Sequence, residues 1–161
     1  MRLTHRLDMV ISREQALEDF DHFLMVMDDQ SDALRNEAAK RGITLDLSLD
    51  DLERLEKLFD MMVGDVDNDT RSSLIVSFGR HLGEVVRENY GGRWCELLDD
   101  ENNVNFNKPV IIGHAKLEGL EFAPLTTMRA YSLRKKPGTL RRAVDADVNP
   151  DALDLSELVE K

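Results

Sequence analysis

The sequence predicts an α+β domain, on three observations. Residues 1–90 repeat apolar side chains at three- and four-residue steps, the spacing of helices that bury one face. At Gly91-Gly92 the period changes, and "RWCELL" (93–98), "PVIIGH" (109–114) and "GLEF" (119–122) are short runs that suit strands. Helices precede the strands instead of alternating with them. That order favours a small antiparallel sheet packed on N-terminal helices, with short C-terminal helices after it.

The first long helix is expected from Ser12, whose hydroxyl can cap free backbone amides, with Gln15 at the capping-box position. Ala16, Leu17, Phe20, Phe23, Leu24, Met27, Leu34 and Ala38 form its stripe, a break is expected near Asp28–Ser31, and Gly42 stops it. Ser48 introduces a second helix whose apolar face is Leu49, Leu52, Leu55, Phe59 and Met62. Asp50 and Asp51 in its first turn suit the positive end of the helix dipole. A third helix follows Asp69 as cap; Leu74, Ile75, Phe78, Leu82, Val85, Val86 and Tyr90 make it the centre of the core. Glycine inside a helix costs roughly 1 kcal/mol relative to alanine, so Gly83 predicts the close approach of a neighbouring backbone. Gly91 can end the helix and Gly92 free the turn into the strand of Trp94. Pro124 opens a short helix over "LTTMRAYSLRKK", broken at Pro137-Gly138. Asn149 as cap and Pro150 behind it predict a last helix over 149–160.

A chain of 161 residues, 42% of them hydrophobic, reads as one domain, with an acidic helical part at 1–70, a helix-plus-sheet part at 71–135 and a C-terminal segment at 136–161. No stretch approaches the roughly 20 apolar residues of a membrane span. "MRLTHRLDMVIS" lacks the apolar run of a secretory signal. Cys95, the single cysteine, suits a reducing compartment, and a cytoplasmic location is expected. The net charge of −11 argues against a general nucleic-acid or anionic-membrane binder. Residues 1–70 hold 18 acids against 8 bases, whereas 71–161 hold 14 against 13. Within the second part, "RAYSLRKKPGTLRR" (129–142) carries six bases and no acid.

Few motifs carry chemistry. "GDVDNDT" (64–70) places aspartates at alternating positions of a calcium loop, but the required glycine and glutamate are Thr70 and Val76. His81 and Glu84 share a helix turn, and Cys95 and His114 add ligand types, yet no CxxC or HExxH pairing is present. Neither a metal nor a cofactor is expected. His81, between Phe78 and Val85, reads as a core-edge histidine bonded to a neighbour; Cys95, beside Trp94, reads as a packed hydrophobe. No nucleophile elbow, P-loop or dinucleotide fingerprint occurs.

"HLGEVVRENYGGRW" (81–94), followed by "APLTTMRAYSL" (123–133), resembles a pattern in small bacterial domains of unknown function, several of them immunity proteins encoded beside toxins. Leu82-Gly83-Glu84, Tyr90, Gly91-Gly92, Trp94 and Pro124 carry the likeness, which spans 72–135. It implies a protein partner, a toxin among the candidates, and no catalytic residue. The expected function is therefore a non-catalytic binding module, monomeric or weakly dimeric, that covers a basic partner through Asp21, Asp28, Asp29, Asp32, Asp50, Asp51 and Glu53. The alternative is a small enzyme or metal-binding protein using His81 and Glu84 with Cys95 or His114. An acidic mimic of nucleic acid is a third class.

Overall fold

The computed structural model describes residues 2–148, with side chains from residue 13 onward. In chain order it contains α1 (Arg2–Met25), α2 (Met27–Lys40), α3 (Asp51–Val63), α4 (Asn68–Tyr90), β1 (Arg93–Glu96), β2 (Pro109–Ile112), β3 (Glu121–Phe122), α5 (Pro124–Arg134) and α6 (Thr139–Val148). This is the α+β architecture that the change of period predicts. The expected helix over 149–160 lies outside the described residues.

The apolar stripe of α4 explains the packing. Ile75, Phe78, Leu82, Val85 and Val86 are all buried, and the helix packs against α2, α3, α5 and β2. Phe78 meets the ring of Phe59 edge-on, with centroids 5.3 Å apart, and Phe59 in turn meets Tyr131 of α5. The sheet is an antiparallel meander in the order β1-β2-β3. Its register aligns Trp94 with Ile111 and Ile111 with Phe122. All three are buried, so one apolar rung crosses the three strands. One contiguous cluster of buried side chains runs from Phe23 to Val144.

Several boundaries differ from expectation, each for a local reason. "MRLTHRLDMVIS" contains neither proline nor glycine, and α1 extends back to Arg2, so Ser12 lies inside the helix instead of capping it. Gln15 donates to Asp19 at 2.9 Å and forms no capping box. The break falls at Val26 (φ −90°, ψ 5°), ahead of the polar run. Asp28 and Asp29 thereby begin α2, where acids favour the dipole, instead of ending α1. Ser48 does not cap α3, whose N-cap residue is Asp50. Asp67, not Asp69, caps α4, its carboxylate accepting from the Thr70 amide at 2.7 Å.

Hydrophobic spacing does not mark α6, and Pro137-Gly138 marks only the end of α5. The N-terminal amides of α6 are held from far away in the chain. The buried carboxylate of Glu56 on α3 accepts from Gly138 N at 2.9 Å and Leu140 N at 3.0 Å.

Two glycines fix the joint between α4 and the sheet. A Cβ on Gly83 would stand 2.2 Å from Trp94 Cζ2 and 3.2 Å from Pro124 Cγ. The close neighbour is thus an indole ring, not the backbone that was expected. Gly92 (φ +98°) brings its backbone against β2, where a Cβ would lie 2.6 Å from Ile112 O. The segment 81–94 is a structural joint.

Candidate functional site

The acidic face of α1 and α2 starts from helical spacing. Leu17, Asp21, Leu24 and Asp28 stand four, three and four residues apart and line one side. Leu17 and Leu24, expected in the buried stripe, are exposed, and the stripe is carried by Ala16, Phe23 and Met27. Asp21, Asp28, Asp29 and Asp32 are all exposed. Among the described residues no base forms an ion pair with Asp21, Asp28 or Asp29, and Asp32 has only Arg35, at 3.8 Å. Exposed apolar side chains are interleaved with these acids: Leu17 at 44%, Leu24 at 38% and Met25 at 77% exposure.

The acids of α3 do not extend this face as a set. Asp50 is exposed, but Glu53 is engaged by Arg141 of α6 at 2.6 and 3.0 Å, and the same guanidinium donates to Leu49 O. One cation of the basic segment 129–142 thus turns back onto the acidic half of the chain. Asp51 is completely buried and cannot touch a partner, which corrects its place among the surface acids. The chain between α2 and α3 folds over it. Its carboxylate accepts from His81 Nε2 at 2.7 Å, Leu47 N at 2.8 Å, Arg54 Nη1 at 3.1 Å and Asp46 N at 3.2 Å. Burial raises the pKa of this carboxyl, but the hydrogen bonds from His81 and the Leu47 amide, with the charge beside them, outweigh burial and hold it below the usual range. The bond also anchors Leu47, whose φ is +64°.

His81 is thereby placed in the core, not at its edge. It and Asp51 form a histidine–carboxylate pair, but neither is exposed at all, so no substrate reaches them in this fold. The remaining candidates are scattered. Glu84 pairs with Arg87 at 2.8 Å and lies 3.4 Å from Trp94 Nε1. Cys95 is half-buried on β1 opposite Val110. His114 is buried and pairs with Asp147 of α6. Among the described residues no group of three or more His, Cys, Asp or Glu could hold a metal ion. No described helix is long and apolar enough to cross a membrane.

Two features have no counterpart in the sequence reading. Glu96, half-buried on β1, is pushed up to about 7 by burial and by the negative charge of Asp19. A cleft between the α1–α2 break and α4 contains Arg80, which stands on the side of α4 opposite its apolar stripe, so hydrophobic spacing carries no signal of it. No family model, curated protein or solved structure matches this chain. The resemblance to immunity domains therefore rests on its motif alone.

Proposed function

We propose that this chain is a non-catalytic binding protein that docks a basic protein partner on the exposed face of α1 and α2. One observation carries the reading: Asp21, Asp28, Asp29 and Asp32 alternate with exposed Leu17, Leu24 and Met25. Charges of one sign speed encounter and select the partner, while a few apolar anchors supply most of the affinity. A toxin-immunity role is the particular form that the motif at 81–94 favours. A cytoplasmic, monomeric or weakly dimeric protein belongs to the same reading, with half-buried Cys95 suiting a reducing compartment.

The test is capture of the partner from native cells, followed by association rates over a range of salt. Reversing Asp28, Asp29 and Asp32 to Lys should slow association about tenfold at low salt and flatten its salt dependence. These side chains are exposed, so the fold should hold, with a melting temperature a few degrees lower because Lys at 28 and 29 opposes the dipole of α2. Met25→Ala should instead speed dissociation. An acidic partner, or an unchanged association rate at low salt, would end the acidic-face reading.

A further inference from the structure

We propose that the cleft between the α1–α2 break and the first half of α4 binds a small phosphate-bearing ligand, with Arg80 as its main contact. The cleft has a volume of about 460 Å³. That is the size of an ordinary small-molecule site. Ser73, Ser77 and Arg80 line one wall at steps of four and three along α4, and Ser72 stands beside them. His22 and Gln30 line the other wall, eight residues apart across the break at Val26. Ser77 Oγ lies 3.4 Å from Gln30 Oε1, linking the two walls.

Arg80 is the unusual residue. Its guanidinium lies over the ring of Phe23, 4.6 Å from the centroid, which fixes its position. Its Nε is buried without a hydrogen-bond partner, and among the described residues no carboxylate pairs with it. Among the described residues no acid lines the cleft, although the chain holds 32 acids against 21 bases. A cation so placed is under-satisfied. Burial lowers its pKa, so an incoming anion would recover part of the lost solvation. The hydroxyls decide which anion. A carboxylate has about four acceptor sites, which the guanidinium fork and two hydroxyls fill. A phosphate has a third and fourth oxygen for the remaining donors among Ser72, Ser73, Ser77 and a ring N–H of His22. The arrangement gives more donors than a carboxylate can use.

The test titrates the intact protein with inorganic phosphate, glycerol 3-phosphate and acetate at constant ionic strength, following backbone amide shifts. The net charge of −11 disfavours loose anion uptake, so saturable shifts confined to residues 22–30 and 72–80 are the expected result. Tighter binding of the ester would mark the ligand as an organic phosphate, and equal binding would mark it as free phosphate. Arg80→Gln should weaken binding about tenfold or more, since it removes a charge-assisted contact. Ser73→Ala, at an exposed position that leaves the Phe23 stack intact, should weaken it about three- to tenfold. The proposal is overturned if acetate binds as tightly as phosphate. It is equally overturned if folded Ser73→Ala and Arg80→Gln bind like wild type, or if the shifts map to the basic segment 129–142.

Discussion

Glu96 puts a titration inside the physiological range. Its carboxyl has a pKa of about 7 in the folded chain against an ordinary 4.5, because burial and Asp19 both oppose its charge. The folded state therefore binds this proton more tightly than the unfolded state does. Stability from this group is greatest below about 4.5, falls as pH rises towards 7 and is flat above that. Glu96→Gln should raise stability at pH 8 by about 1–2 kcal/mol, discounted for partial exposure, and change little at pH 5. Melting curves of both proteins across this range check the slope. Asp51 has the opposite sign. Its folded pKa lies below the ordinary 3.8, so its contribution is present above that value and lost as pH falls through the folded pKa. Asp51→Asn should cost about 3–5 kcal/mol at pH 7, measured by urea unfolding, because Arg54 and the loop amides lose a charged acceptor. Neither role is legible in the sequence. Asp51 looks like any first-turn acid, and only the chain folding over it makes it internal.

At the scale of elements, the hydrophobic period located most of what was formed. The strands at 93, 109 and 121, the proline start of α5 and the stripe of α4 all follow from alternation or three-to-four spacing. The shifted ends of α1 to α4 have local causes, whereas the missed α6 has its start set by a contact distant in sequence. Glu56 reaching α6 leaves no local trace, and the breaker at Pro137-Gly138 gave no hint of a helix beyond it. Glu56→Gln should be almost as harmful as Glu56→Ala. Its amide would oppose one of the two backbone N–H groups with a donor of its own. Either change should cost about 1–3 kcal/mol, with faster amide exchange in residues 138–142 as the readout. Gly83→Ala places a methyl inside the Trp94 ring and should cost about 1–3 kcal/mol by overpacking. Trp94 is the only tryptophan, so its fluorescence reports the displaced ring directly.

Among the described residues, the buried cluster draws on all six helices and the sheet, from Phe23 through Phe59 and Phe78 to Leu140 and Val144. The acidic half and the remainder share that cluster. Thermal unfolding is expected as one transition, with tryptophan fluorescence and far-ultraviolet circular dichroism coinciding. A fragment of residues 71–161 should fail to fold alone, because Phe78 and Tyr131 both lose Phe59. A cooperative melt of that fragment would show the halves to be independent. Charge at this scale is partly internal, since Arg141 spans from α6 to Glu53.

The long reach of Glu56 also sets an order of events at the ribosome. Its carboxylate is made 82 residues before Gly138 and 84 before Leu140. At about 5–20 residues per second, it waits about 4–17 s for the amides that satisfy it. During that interval α3 carries a carboxylate destined for the interior without the two amides that hold it in the finished fold. The core around Glu56 cannot close until nearly the last of the described residues has left the exit tunnel. Pulse-labelled chains released early, at residue 135, should stay sensitive to protease, while chains released at 161 become resistant.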